Sequence, residues 1–143
     1  MVKALRVETA YLEVRSRGEG DVIDLTAQLQ EVLAQAGLKN GVLTLFVPGS
    51  TGAVTTIEYE PGLVIDIRNT LERIAPKGAV YEHEKRWHDG NGHSHVRASL
   101  IGPSLSIPFI DGRLTLGTWQ QVIFIELDIR PRHRKLIVQM MGE

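Results

Sequence analysis

Four of the five histidines of this 143-residue chain fall within one short polar stretch, His83 to His95. His93 and His95 are separated by a single serine, so on a β-strand both imidazoles would point to one face, about 6–7 Å apart. Neutral imidazole binds a divalent metal near pH 7 without a large deprotonation cost. The spacing therefore predicts a metal site built from His83, His88, His93 and His95.

The ligand set of such a site is restricted by the composition, because the chain contains no cysteine. Any transition-metal site must be built from His, Asp and Glu, and Glu126 on a later strand is a candidate carboxylate. Three protein ligands and an open water position are typical of a catalytic zinc-type site. The alternative is a solvated polar turn, since the stretch also contains Gly and Asn. His133 lies in the basic stretch 130–135, which is either a solvated turn or an anion site.

A second candidate lies in the turn Pro48-Gly49-Ser50-Thr51-Gly52-Ala53. Small hydroxylated residues among glycines let a backbone approach a ligand closely, and exposed N–H groups there can hold an oxyanion. The turn lacks the Gly-Lys-Ser/Thr of a phosphate-binding P-loop, and a plain connection between two strands remains the alternative.

Three further positions carry polar or aromatic groups of possible use. Glu58 falls among β-branched residues and Asp66 falls within a predicted helix, and each is equally consistent with a solvated surface residue. Trp119 and Gln120 interrupt an otherwise apolar β stretch. This pair either lines a pocket, with the amide contacting a ligand, or serves packing alone.

The elements that must position these residues follow from hydrophobic periodicity. Helical spacing predicts a first helix over residues 22–36, and Pro61-Gly62 opens a second helix that ends at Pro76. Runs at 42–47, 53–59, 121–129 and 136–140 read as strands, and Asp111-Gly112 predicts a hairpin. Residues 81–95 show no periodicity, and the chain reads as β from Val96 onward. The order predicts one α+β domain over residues 1–143, a mostly antiparallel sheet with two helices.

The charge balance limits the partners. Sixteen Lys and Arg against seventeen Asp and Glu give a net charge of −1, so bulk attraction to nucleic acid or an anionic membrane is not expected. The chain has no apolar run long enough to span a bilayer. The first eight residues, Met1 to Glu8, lack the apolar core of a signal peptide. The expected location is the cytoplasm.

The chain resembles the YjbQ-like family of secondary thiamine-phosphate synthase enzymes. The pattern His95-x-x-Ala-Ser-Leu-x-Gly, combined with Gly117-Thr118-Trp119-Gln120 and Glu126, carries most of the resemblance. The other matching positions are Ser16-Arg17-Gly18, Phe46-Val47-Pro48, Ala53-Val54-Thr55, Glu58, Asp66, Tyr81-Glu82-His83, Pro103-Ser104-Leu105, Gly112 and Arg134.

The resemblance implies a compact α+β fold that assembles as a homotrimer and binds a divalent metal, Zn or Mg. It also implies a weak activity that joins a pyrimidine diphosphate to a thiazole phosphate and releases pyrophosphate. In such a reaction, Arg17 or Arg134 would neutralise phosphate charge, Glu58 or Asp66 would handle protons or hold a hydrated cation, and Gln120 would orient the substrate. Charge stabilisation and positioning suffice for this chemistry.

Two other functions stay open. A metal-bound water would suit a hydrolase of a small phosphorylated or amide substrate. A trimeric metal- or anion-binding protein without catalytic activity is the other. The chain also departs from the family pattern at two positions, with Gly49 where the family has His and His93 where it has an acidic residue. These departures predict a site rebuilt from residues 83–95.

Overall fold

Two antiparallel sheets share one apolar core, with helices packed beside them. The computed structural model describes residues 4–143; Met1, Val2 and Lys3, on which the signal-peptide prediction partly rests, lie outside the described residues. The strands are β1 (Arg6–Arg15), β2 (Val22–Asp24), β3 (Gly41–Phe46), β4 (Gly52–Ile57), β5 (Ser104–Ile110), β6 (Arg113–Leu114), β7 (Gln121–Glu126) and β8 (His133–Gly142). The helices are α1 (Thr26–Ala36), α2 (Pro61–Ile74), α3 (Glu82–Trp87) and α4 (Gly92–Ile101).

The strands form a five-stranded sheet in the order β1-β8-β3-β5-β6 and a three-stranded sheet in the order β2-β7-β4. Alternation along β1 and β8 sends Leu12, Leu136 and Val138 into the core. Val54 and Phe124 of the second sheet join the same cluster, together with residues of α1. A smaller cluster, which includes Ala53, Leu71 and Ala98, packs α2 and α4 onto the opposite face of the three-stranded sheet.

The outer face of the five-stranded sheet is exposed and partly apolar. Its side chains stand in three rows across the strands, because strand register aligns them. The two apolar rows are Val7, Met141, Val42 and Pro108, and Tyr11, Ile137 and Phe46. A polar row of Thr9, Gln139, Thr44 and Ser106 lies between them. We refer to this surface as the outer face.

The α+β class and the antiparallel sheets are confirmed. The first predicted helix forms over Thr26–Ala36, while Val22–Asp24 is a short strand instead of its first turn. The second begins at Pro61, where the Glu60 carboxylate accepts hydrogen bonds from the Gly62 and Leu63 N–H groups, at 2.8 and 2.5 Å. The predicted hairpin is present, with positive φ at both Asp111 and Gly112, as a tight two-residue turn requires.

The segment around the histidines differs from the prediction. It forms two further helices, α3 and α4. Because α4 extends to Ile101, the prediction of β structure from Val96 onward was wrong for residues 96–101, whereas the chain is β from Ser104. Within residues 4–143, no helix is both long and apolar enough to cross a bilayer.

Candidate metal centre and adjoining cavity

Two short helices and the loop between them hold the histidine-rich segment in place. The Glu84 carboxylate accepts hydrogen bonds from the backbone N–H groups of Gly90 and Gly92, at 2.8 and 2.6 Å. Gly92 also lies so close to Tyr81 that a Cβ there would approach the Tyr81 Cβ to 2.6 Å. Glu84 therefore ties the end of the loop and the start of α4 back to α3.

This arrangement brings His83 of α3, Asp89 of the loop and His95 of α4 together. One ligand atom from each lies within 4.8 Å of the other two. The His83 Nε2 atom is 3.2 Å from Asp89 Oδ1, and the two imidazole rings are 4.5 Å apart between centroids. A hydrogen bond from the Asn91 N–H lowers the pKa of Asp89, and His83 and His95 lower it further. Asp89 therefore stays ionised, as a metal ligand must.

His93 is not part of this cluster, and the prediction of a strand with both imidazoles on one face was wrong. Helical residues two positions apart point about 200° from each other. His95 faces the cluster, whereas His93 is 1% exposed and its Nε2 contacts the Glu19 carboxylate. Burial opposes ionisation of Glu19, but hydrogen bonds from Lys77 and His93 outweigh it, and the pKa of Glu19 is lowered.

His88 also lies outside the cluster. It ends α3 in a left-handed conformation, with φ of 51°, and is exposed. Asp89, which the sequence analysis missed, takes the third position. The indication in the sequence is a carboxylate in a turn that also contains Gly and Asn, between two pairs of histidines.

A cavity of about 200 Å³ adjoins the cluster, and His95 belongs to both. Its lining residues are Gly49, Ser50, Gly52, His95, Ala98, Ser99 and Pro103. Gly49 has φ of 121°, which L side chains rarely adopt, and a Cβ at Gly52 would lie 2.7 Å from the Phe124 ring. Among residues 4–143, no acceptor is found for the backbone N–H groups of Ser50 and Thr51. We call this space the glycine cavity.

A buried ion pair lies behind the glycine cavity. Arg134 donates two hydrogen bonds to the Glu126 carboxylate, at 2.9 and 2.6 Å, and a third to Thr51 Oγ1 at 2.8 Å. Arg134 NH1 lies 3.2 Å from the position that a Cβ of Gly49 would take. Glu126 is fully buried and also accepts a hydrogen bond from Ser16 Oγ. It therefore anchors Arg134 under the turn and does not reach the cluster.

Asp128 is a second buried carboxylate that the sequence analysis did not single out. It accepts hydrogen bonds from Thr51 Oγ1 at 3.1 Å, Asn91 Nδ2 at 3.4 Å and Arg132 at 2.7 Å. Burial opposes its ionisation, but hydrogen bonds from the Arg130 N–H, Thr51, Arg132 and Asn91 outweigh this, and the pKa is lowered. Asp128 thereby connects Thr51, in the turn before β4, to Asn91 at the start of α4.

The other predicted site residues are spread over the surface. Arg17 is exposed and pairs with Asp21 at 3.0 Å, which raises its pKa. Glu58 and Trp119 are exposed, and Asp66 borders a groove of about 430 Å³ between α2 and α4. Gln120 donates to Thr56 Oγ1 at 3.1 Å. Of the predicted residues, Ser50 and His95 thus line the glycine cavity, and Thr51 and Arg134 are buried behind its wall.

The fold and the site define a small α+β domain with a partly exposed cluster of two histidines and one carboxylate beside a cavity lined by glycines. Residues 10–143 match the family model described as UPF0047 protein YjbQ-like. The chain belongs to this family.

Relatives and solved structures are similar to this chain over nearly its whole length. A UPF0047 protein of Methanothermobacter thermautotrophicus is 39% identical over 139 residues, covering 97% of this chain and 95% of the relative. The UPF0047 protein YugU of Bacillus subtilis is 31% identical, covering 92% and 97%. The crystal structure of a YbjQ-like protein of unknown function from Sulfolobus solfataricus has a TM-score of 0.91 at 30% identity, covering 98% and 100%. A hypothetical protein of Aeropyrum pernix has a TM-score of 0.87 at 37% identity, covering 95% and 99%.

Proposed function

We propose that this protein is a metal-dependent enzyme that acts on a phosphorylated small molecule. The observation that carries the proposal is the position of His95, which belongs both to the cluster with His83 and Asp89 and to the wall of the glycine cavity. A cation at the cluster would lie beside any anion in the cavity. This adjacency is what the chemistry of a leaving phosphate requires.

The donor set fits a divalent transition metal better than magnesium. Two imidazoles and one carboxylate suit Zn²⁺, whereas Mg²⁺ prefers an octahedral shell of oxygens. Three protein ligands leave a position open for water or substrate. When bound, such a metal supplies positive charge to a phosphate oxygen.

The glycine cavity has the features of a phosphate site. The Ser50 and Thr51 N–H groups lack acceptors within the described chain, and the Arg134 guanidinium lies directly beneath the turn. The absence of side chains at Gly49 and Gly52 lets an anion approach the backbone. Because Glu126 neutralises part of the charge of Arg134, the guanidinium alone would attract an anion only weakly. The backbone N–H groups of Ser50 and Thr51 would supply the rest of the binding.

For the specific reaction, we propose the secondary thiamine-phosphate synthase activity. In that reaction the bond between the pyrimidine methylene carbon and the diphosphate oxygen breaks, and a bond from this carbon to the thiazole nitrogen forms. The electron pair of the broken bond leaves with pyrophosphate. His83, Asp89 and His95 would hold the metal, and Arg134 would stabilise the departing charge. Glu58, Asp66 and Trp119 are exposed and do not line the glycine cavity, so they would not contact a substrate bound there within one chain.

We also propose that the protein assembles as a homotrimer and that it resides in the cytoplasm. The outer face supports assembly, because two apolar rows are left exposed across four strands. Tyr11, Phe46 and Met141 are each at least 40% exposed, and contiguous exposed apolar area marks protein interfaces. Light scattering of the native chain and of a Phe46→Glu variant tests this, and a wild-type monomer would contradict it.

The metal site is tested by measuring the metal content and the Zn²⁺ affinity of the purified protein. We expect about one equivalent in the wild type, with at least a tenfold loss of affinity in His83→Ala and in His95→Ala. The control is His88→Asn, which removes a nearby imidazole outside the cluster and suits the left-handed backbone there. Equal affinity in all four proteins would overturn the ligand assignment.

Turnover is tested separately, in a coupling assay with a pyrimidine diphosphate and a thiazole phosphate. We expect product above background only with metal present, and loss of product in His95→Ala at saturating substrate. Metal binding without turnover would leave a binding protein and reject the enzyme. Release of inorganic phosphate without coupling would indicate a hydrolase instead.

A further inference from the structure

Asn91 holds two of the three candidate metal ligands through its backbone. Its N–H donates to Asp89 Oδ1 at 3.0 Å, and its carbonyl accepts from the His95 N–H at 3.1 Å, in the first turn of α4. The same Asp89 oxygen lies 3.2 Å from His83 Nε2. A change in the position of Asn91 would therefore move the Asp89 carboxylate and the start of α4 together.

The side chain of Asn91 is fixed by partners in the interior. Its Oδ1 accepts from Ser94 Oγ at 2.8 Å and from the Ile129 N–H at 3.2 Å, so both lone pairs of this oxygen are used. Its Nδ2 donates to Asp128 Oδ1 at 3.4 Å. Because Asn91 is buried, breaking any of these hydrogen bonds would leave a polar group without a partner and would cost free energy. The position of Asn91 therefore depends on that of Asp128.

Asp128 extends this connection to the turn of the glycine cavity. Its other carboxylate oxygen accepts from Thr51 Oγ1 at 3.1 Å. The Thr51 hydroxyl has a single proton and must donate it to Asp128, because its second partner, Arg134, can only donate. Thr51 precedes β4, Asp128 follows β7 and Asn91 precedes α4, and each is at most 5% exposed. We call these three residues the buried link.

We propose that the buried link couples the two sites, so that an anion at the Thr51 N–H and a divalent cation at the cluster each strengthen the binding of the other. The inference rests on the proposed function, which places the two ions, and it adds the residues that join them. An anion on the N–H of Thr51 would order the turn, and the hydroxyl of the same residue would then fix Asp128 and, through it, Asn91. Ordering of the link accompanies the first ion, so the second loses less conformational entropy and binds more tightly.

Direct attraction between the two ions also couples their binding, and two substitutions separate it from the effect of the link. Asn91→Ala breaks the link at Asp128 but keeps the backbone contacts of residue 91 to both ligands. Thr51→Val removes the hydroxyl, whereas the branched side-chain shape and the backbone N–H for the anion remain. Both changes replace a neutral side chain by a neutral one, so the attraction between the ions stays as in the wild type. A loss of coupling in these variants therefore belongs to the link.

The test measures the Zn²⁺ affinity of the full chain with and without saturating sulfate, at constant ionic strength. Sulfate is a tetrahedral anion that, unlike phosphate, does not precipitate Zn²⁺. We expect sulfate to raise the Zn²⁺ affinity of the wild type about tenfold, and Zn²⁺ to raise the sulfate affinity by the same factor. In Asn91→Ala and Thr51→Val this factor should fall to about a third or less of the wild-type value. Thr51→Ser, which keeps the hydroxyl, should retain the wild-type factor.

Gln30→Ala is the control for general destabilisation, because the hydrogen bonds of Gln30 run to Gly112 and Leu114 of the β5–β6 hairpin, outside both sites. It should keep the wild-type factor, and a loss there equal to that in Asn91→Ala would overturn the proposal.

Failure of the link can be told apart from failure of the proposed function. Equal factors in the wild type, Asn91→Ala and Thr51→Val would overturn the link alone, whereas a wild type that binds neither Zn²⁺ nor sulfate would overturn both. If the substitutions prevent folding, the wild type decides by NMR. Sulfate without metal should shift the signals of the Asn91 carboxamide, and unchanged signals would overturn the proposal.

Discussion

The imidazole rings of His83 and His95 lie 4.5 Å apart and are tilted by 50°, although the two residues belong to different helices. Asp89, in the loop that joins these helices, completes the cluster. Three residues within 13 positions of the chain therefore bring candidate ligand atoms together from three separate elements. Both the loop and the start of α4 are held by Glu84, so the geometry exists before any cation binds.

Replacing Asp89 by Asn should weaken Zn²⁺ binding at least tenfold, because a neutral amide replaces a carboxylate whose pKa is already lowered by the Asn91 N–H and by His83. The measurement is isothermal titration of the apo protein. The control is Asp111→Asn, an exposed aspartate in the β5–β6 turn whose positive φ also suits Asn. Unchanged affinity in Asp89→Asn would show that Asp89 is not a ligand.

Replacing His93 by Ala should lower the free energy of unfolding by about 1–3 kcal/mol, because it leaves the buried end of the Glu19 carboxylate without its partner. The Zn²⁺ affinity of the folded protein should stay close to that of the wild type. Urea denaturation gives the first quantity and metal titration the second. If His93→Ala keeps full stability but loses Zn²⁺ binding, His93 is a metal ligand and this prediction is wrong.

Breaking the Glu126–Arg134 pair should be severe, since it leaves one buried charge unpaired. Glu126→Gln or Arg134→Met should each lower the free energy of unfolding by about 3–5 kcal/mol. The double variant should be less destabilised than the sum of the two single variants, because it leaves neither charge behind. Additive losses in the denaturation experiments would contradict the pairing.

Gly52→Ala should lower the free energy of unfolding by about 1–3 kcal/mol, because the added methyl meets the Phe124 ring at 2.7 Å and Arg134 at 3.2 Å. The matched control is Gly78→Ala, where a Cβ has no neighbour within 4 Å. That change should leave stability unaltered or raise it by up to about 1 kcal/mol. Thermal and urea unfolding of the two variants provide the comparison.

Asp128 predicts how stability depends on pH in the acid range. Its folded pKa lies below the ordinary aspartate value of about 3.9, so the unfolded chain binds a proton more readily. The stabilisation is complete above that ordinary value and is lost as the pH falls through the folded pKa. Asp128→Asn should therefore be less stable at neutral pH and show a shallower acid dependence. An acid dependence equal to that of the wild type in urea denaturation of Asp128→Asn would contradict this.

Local patterns predicted much of the fold. The Asp111-Gly112 turn and the opening of α2 at Pro61 depend on the conformational preferences of a few neighbouring residues, which the sequence contains. Apolar runs at 42–47 and 136–140 likewise located β3 and the middle of β8. These elements are correct because their determinants are short-range or bury a regular apolar face.

Helix α4 could not be predicted in this way. Its buried face carries polar side chains, and Arg97 reaches the Ala75 carbonyl at 2.9 Å and Glu72 at 2.7 Å. Ser94 donates to Asn91, which itself contacts Asp128. The partners that make burial of these groups favourable lie far along the chain, so no apolar period marks the helix. For the same reason, the sequence did not indicate that Glu126 pairs with Arg134 or that Asp128 accepts hydrogen bonds from Thr51 and Asn91.

His93 and His95 point in opposite directions from one turn of α4, so the buried contact of His93 with Glu19 helps to fix the position of His95 at the surface. Because the backbone of a helical turn is rigid, the contact between His93 and Glu19 also sets the orientation of the His95 ring. Substitutions around Glu19, which is far from the cluster along the chain, would thereby change the orientation of His95 without contacting it.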